Sequence, residues 1–335
     1  MKNVTLLILF LWIMVGMGCR ASVDNNSENS AQFPNRPVHI IVPLAAGSSS
    51  DMLVRSLEKV ACRYLEQPII VTNKTGGGGM LGYDKLVKAN ADGYTIGFVN
   101  SSIFYQTLYG GTAYYYPSAL EPLAQIVETP SIILVSSDSP WENIAQVINY
   151  AKKQPRSLKV GNAGMGGIEH IHGVAIAEHC DIEIVPVPFP NSRESVSALV
   201  GNHIQAAIVN PVLAKEVLQN GRVRALATTG PGRIKDPILR TIPTLTEQGI
   251  DFVSEVWGCI VAPKVLPPEV KKKLVDAIGK MVLDKDFQDN LARYGVEVRY
   301  LDDEATKIKW RNEDNKLKTL LESVGALDEL QNQRK

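Results

Sequence analysis

The sequence is poor in most of what marks a specialised chemistry. It has four cysteines in 335 residues, Cys19, Cys62, Cys180 and Cys259, and no C-x-x-C pair, which argues against a disulfide framework and against thiolate metal knuckles. No H-E-x-x-H, G-x-S-x-G or G-x-x-x-x-G-K-[ST] occurs, so zincin, α/β-hydrolase and P-loop chemistry have no local carrier. Charge of neither sign is in excess: 35 Lys and Arg face 35 Asp and Glu, and nothing favours nucleic acid or an anionic membrane surface. Long hydrophobic runs are missing too. The one apolar stretch, from Val4 to Val15, is too short and too close to the terminus for a good membrane span.

That stretch has the make-up of an export signal. Lys2 supplies a short positive start, the apolar run follows, and small residues at Gly16-Met-Gly18 precede Cys19. A cysteine in this place resembles the lipobox of bacterial lipoproteins, in which it is lipidated and becomes the first mature residue. Gly16 stands where that pattern prefers leucine, and an ordinary signal peptide is the alternative. Residues 20–32 are polar and read as a flexible tether. If Cys19 carries lipid, three cysteines remain; three buried reduced thiols are expected, with a single disulfide pair as the alternative.

About 300 residues are left, enough for two lobes with their own cores. They read as repeated β-loop-α units, which predicts parallel sheets covered by helices. Val38-His-Ile-Ile-Val42 is a buried strand by its apolar, β-branched content. Leu53, Val54, Leu57, Val60, Ala61, Tyr64 and Leu65 then recur at helical spacing from a start near Asp51, a plausible N-cap. Between them lies Pro43-Leu-Ala-Ala-Gly-Ser-Ser-Ser-Asp51. Strand, small-residue loop and helix start together offer free backbone N–H groups and a positive dipole end to an anion. The arrangement returns at Leu158-Lys-Val160, Gly161 to His170, and an apolar helix to His179. Two such loops on two lobes would face each other across a cleft.

Other features read more plainly. Gly77-x-Gly79-x-x-Gly82 matches the dinucleotide fingerprint in form. It sits in the second βα unit, however, and lacks the acidic residue expected about 20 positions on. The glycines are read instead as a close backbone approach at the cleft. His170 and His172 are two apart on a predicted helix and face different ways, so no metal pair is expected. Further strands are expected at 184–189, 204–209 and 223–228. A crossover strand over 252–262 leads to two helices, a strand at 296–300, and a last helix with Lys309, Arg311, Glu313 and Lys316 on a solvated face.

At this point the chain resembles the Bug/TctC family of extracytoplasmic solute-binding receptors of tripartite tricarboxylate transporters. Pro43 to Asp51 is similar to that family's P-F-x-x-G-G-x-x-D loop, Asn73 to Gly82 to its N-[RK]-x-G-x-G-G-x-x-G segment, Asp92-Gly-Tyr-Thr95 to D-G-Y-T, and Gly164 to His170 to G-x-G-S-x-x-H. Val223 to Ala227, Pro243-Thr244 and Trp257-Gly258 follow in order. The resemblance implies a two-lobed type II periplasmic-binding fold with a hinge: lobe 1 from 33–130 and 254–335, lobe 2 from 131–253. It implies a receptor without catalysis, cofactor or metal, expected to be monomeric. A small organic acid would bind between the lobes and pass to membrane permease subunits.

The implied ligand contacts are Ala46, Gly47, Ser48, Ser49, Ser50 and Asp51. Gly166, Gly167 and His170 would lie opposite, and Ser101 and Ser102 at the floor. Leu44, Ser48, Gly167, Phe189-Pro190-Asn191 and Gln205 depart from the family pattern, so the second lobe's wall is the least determined part. A receptor that signals to a membrane kinase is the alternative, and an exported hydrolase pairing Ser48–Ser50 with His170 the remotest.

Overall fold

The computed structural model describes residues 33–106 and 114–323; the expected signal segment 1–19, with Cys19, and the expected tether 20–32 lie outside them. Strand β1 (Val38–Val42), helix α1 (Ser49–Leu65), β2 (Ile69–Asn73), α2 (Met80–Val87) and β3 (Thr95–Asn100) open the chain, with β1 paired in parallel to both β2 and β3. Val38, Ile40 and Val42 enter one hydrophobic cluster and Ile41 the cluster on the other face. A strand covered on both sides shows little polar alternation, hence its largely apolar sequence, in which only His39 is exposed.

After α3 (Tyr116–Ala119) comes β4 (Leu120–Pro130), which leads through Ser131 directly into β5 (Ile132–Ser136). Then follow α4 (Ile144–Lys153), β6 (Leu158–Ala163), α5 (Ile168–His179), β7 (Ile184–Phe189), α6 (Ser192–Val200), β8 (Ala206–Val209), α7 (Pro211–Leu218) and β9 (Val223–Thr228). The chain closes with β10 (Glu255–Pro263), α8 (Pro268–Leu283), α9 (Lys285–Arg293), β11 (Val298–Leu301) and α10 (Asp303–Ser323). Six strands form one sheet in the order β11-β4-β10-β3-β1-β2, and five form another in the order β7-β6-β8-β5-β9. Each sheet is buried on both faces by helices, giving four apolar clusters.

Three expectations are corrected, and one strand was missed. The sheets are mixed, because β10 runs antiparallel to β3 and β4, and β5 antiparallel to β8 and β9. Strand β4 was not read from the sequence at all. Pro122 and Pro130 interrupt it, but Pro122 sits beside a register shift against β10, where a missing N–H is tolerated. Cys62 is exposed on the outer face of α1, while Cys180 is half-buried, Cys259 is buried, and all three are free thiols. Lys309 is not on a solvated face: it pairs with Glu128 of β4, both side chains being about three-quarters covered.

The two passages between the sheets meet in one polar knot. The Ser131 N–H donates to Thr229 Oγ1 (2.9 Å), whose hydroxyl donates to the Ser254 carbonyl (2.6 Å). Thr229 N–H donates to the Ser131 carbonyl, and Ser254 N–H to the Thr229 carbonyl. His172 of α5 bridges the same two serines, with Nδ1 2.8 Å from Ser131 Oγ and Nε2 2.9 Å from Ser254 Oγ. Complete burial pushes this imidazole down to about 4, so it is held neutral.

Candidate binding site

A cavity of about 650 Å³ lies between the sheets, lined from both. Its first wall is the β1–α1 loop. Gly47 takes φ +76°, and Ser48 caps α1 by accepting the Asp51 N–H at 3.3 Å. Asp51 therefore stands in the first turn and is not the cap itself. Its carboxylate reaches back to accept the Gly47 N–H (2.8 Å), and also takes Asn73 Nδ2 (2.9 Å) and Arg55 Nε (3.0 Å). This is the reciprocal logic of a capping box. Burial pushes the Asp51 carboxyl up, but the Gly47, Arg55 and Asn73 hydrogen bonds outweigh it and hold it below the usual range. With Asp51 N–H on Ser48, the N–H groups of Ser49 and Ser50 find no acceptor among the described residues. They stand at the positive end of a 17-residue helix, beside their own hydroxyls.

The opposite wall repeats the construction. Gly166 takes φ +71°, Gly167 is the N-cap of α5, and His170 Nδ1 accepts the Gly166 N–H at 3.1 Å. Histidine here occupies the place that Asp51 holds in the first loop. Burial pushes its ring down, which keeps it neutral and able to accept.

Of the residues expected at the site, Ala46, Gly47, Ser48, Ser49, Ser50, Ser102 and Gly167 line the cavity. Asp51, Ser101, Gly166 and His170 do not belong to that lining. Asp51 and His170 shape the loops from behind, so the serine–histidine pairing a hydrolase would need is not assembled. Ser102 bonds Tyr83, whose phenol burial pushes up to about 12. Gly82 packs α2 on the first loop: a Cβ there would meet the Lys74 carbonyl at 2.8 Å and Pro43 Cα at 2.9 Å. The fingerprint glycines thus serve backbone packing at the cleft. Gln205 faces β6, accepting the Lys159 N–H at 3.0 Å. Among the described residues no group of three or more His, Cys, Asp or Glu could hold a metal ion.

Several lining residues escaped the sequence reading, notably Glu169, Arg193, Asn210 and Trp257. Glu169 lies inside the quoted Gly164–His170 segment but falls on an unspecified position of the family pattern. Asn210 carried a signal, since Asn before Pro211 is an N-cap followed by proline at the first helical position. Burial pushes the Glu169 carboxyl up, partly opposed by its own N–H and by Ser192 and Asn210.

Over residues 53–326 the sequence matches the tripartite tricarboxylate transporter family receptor. The chain belongs to that family. Among its relatives, a Cupriavidus necator protein from the gbd 5′ region is 30% identical over 297 residues, covering 88% of this chain and 89% of the relative. BugT of Bordetella pertussis is 26% identical, covering 88% and 90%. The structure of the periplasmic binding protein BugD superposes with TM-score 0.77 at 27% identity, covering 88% of this chain and 99% of that one. MatC of Rhodopseudomonas palustris, solved with bound malate, gives 0.75 at 23% identity, covering 86% and 100%. The fold is accordingly the two-lobed type II fold of periplasmic binding proteins, and the family is one of solute receptors, not enzymes.

Proposed function

We propose that this chain is an extracytoplasmic receptor that closes its two lobes, divided at residues 131 and 254, on a small organic acid and delivers it to the permease subunits of a tripartite transporter. The observation that carries the reading is the wall at Ser49 and Ser50. Two backbone N–H groups without an acceptor among the described residues, two hydroxyls and a helix N-terminus converge there on one side of the cavity. Relatives of the same fold support it, since MatC is solved with malate and another R. palustris protein with adipate. Ligand contacts to both loops would favour the closed arrangement over the open one, and that difference is what the permease reads. The chain works as a monomer outside the cytoplasm, tethered to the membrane by lipid on Cys19.

A thermal-shift screen of the protein without residues 1–19 tests this, with dicarboxylates, tricarboxylates, amino acids, aromatic acids, neutral amides and sugars. Saturable stabilisation by acids is expected; a shift from neutral compounds alone would overturn the acid reading. Ser49→Ala combined with Ser50→Ala should weaken acid binding by about 1–3 kcal/mol, read by titration calorimetry.

A further inference from the structure

The cavity is electrically lopsided. Its lining holds two charged side chains, Glu169 and Arg193. Arg193 is turned to Glu216 with both terminal nitrogens, at 2.5 and 2.8 Å. Its charge is therefore engaged in a two-pronged pair away from Glu169. The Glu169 carboxylate has only neutral partners among the described residues: Ser192 Oγ at 3.5 Å, the Asn210 side chain and its own backbone N–H. Asn210 is fixed in turn, because its Oδ1 caps α7 by accepting the Leu213 N–H at 3.1 Å. The neighbouring His170 is neutral and bonded to its loop. One wall thus offers N–H and O–H donors, and the other a carboxyl with no cation beside it among the described residues, whose burial makes the ionised form costly until a counter-charge arrives.

We infer that Glu169 sets the ligand class of this cavity: an acid that also carries a cationic nitrogen, its carboxylate at Ser49 and Ser50 and its nitrogen at Glu169. This rests on the reading of the first wall as a carboxylate site. An ammonium or similar group would supply the counter-charge that Glu169 lacks and relieve the cost of its burial. The second carboxylate of a plain diacid would meet Glu169 as a like charge, or would have to hold it protonated, at a cost in either case inside the cleft. Malate and adipate, each with two carboxylates, would therefore be poor ligands here. An acidic side chain in the first turn of a helix also favours the helix dipole, and the test has to separate that structural role from ligand selection.

Titration calorimetry at neutral pH on the protein without residues 1–19 makes the comparison. The probes are chain-matched pairs, 4-aminobutyrate against succinate and 6-aminohexanoate against adipate, together with α-amino acids and betaines. The nitrogen-bearing acids are expected to bind and the matched diacids to bind at least tenfold more weakly. Glu169→Gln should lower affinity for the bound amino acid by about tenfold or more, and leave or improve that of the diacid. Glu169→Asp should keep the preference. Diacids binding the native protein more tightly than their amino partners would overturn the inference, whether or not the variant folds. So would a Glu169→Gln change that moves both classes equally, which a purely structural residue predicts. If no acid of either class binds, the carboxylate reading of the first wall fails, and this inference with it.

Discussion

Asp51 shows how one side chain can define a site that it does not line. Three donors from separate places in the chain, the Gly47 N–H, Asn73 and Arg55, converge on its carboxylate. Together they hold the loop so that Ser49 and Ser50 face the cavity. Asp51→Ala should destabilise the protein by about 1–3 kcal/mol in urea unfolding and weaken ligand binding as well. Because the folded carboxyl is held below its ordinary value, its stabilising contribution is present above the usual carboxylate range. It is lost as pH falls through the folded value, so the gap between variant and native protein should narrow in acid. Ser48→Ala, which removes only the N-cap bond, should cost about 1 kcal/mol by the same measurement. The helix start was legible near Asp51, but the cap is Ser48 and Asp51 stands in the first turn. From one dimension, either residue serves as a cap; the bond from Gly47 is set by the turn and decides between them.

At the scale of elements, the two loops are one device used twice: a glycine at positive φ, an N-cap, and a side chain three residues later that accepts the glycine's N–H. The repeat was visible in the pattern of strand, small residues and helix. What the pattern did not reveal is that His170 takes the role of Asp51, because only the folded turn brings the Gly166 N–H onto its ring nitrogen. The knot of Ser131, Thr229, Ser254 and His172 was invisible for a related reason. Its members are up to 123 residues apart in the chain (254 − 131) and converge only where both passages between the sheets cross. Here the sign of the pH effect is the reverse of a histidine that gains a carboxylate. The unfolded ring takes up a proton near its ordinary 6.5, whereas the folded one resists to about 4. Stability should therefore be highest above pH 6.5 and fall as pH drops toward 4, by up to about 3 kcal/mol from this residue. Urea midpoints across that range should lose this slope in His172→Gln, apart from what other groups contribute.

For the whole molecule, the lobes already touch at one rim of the cleft. A Cβ on Gly78 would come within 3.1 Å of the Met165 carbonyl and 3.3 Å of Gln106 Nε2, and Gly78 itself takes φ +65°. Gly78→Val should cost about 1–2 kcal/mol in backbone strain, and should reduce ligand affinity because the rim can no longer meet. X-ray scattering would show the consequence: on addition of ligand the native protein should contract, and Gly78→Val should contract less. Trp257 lines the cavity on β10 and packs edge-on against Phe104 and tilted against Trp310 in a buried cluster. Ligand binding should therefore change its fluorescence, whereas a ligand bound outside the cleft would leave it unaltered.

Local rules determined much of this protein from its sequence alone. Apolar runs and helical spacing marked most of the strands and helices, and small residues at strand ends marked both loops, because each depends on interactions a few residues long. Tertiary structure decided the rest. It placed β4 in the six-stranded sheet despite two prolines, since a register shift against β10 accommodates Pro122. It set Asp51 and His170 behind the cavity and brought Glu169 to its wall beside Ser192 and Asn210. Which way a side chain faces, and which distant charge neutralises it, depends on residues that only folding brings together.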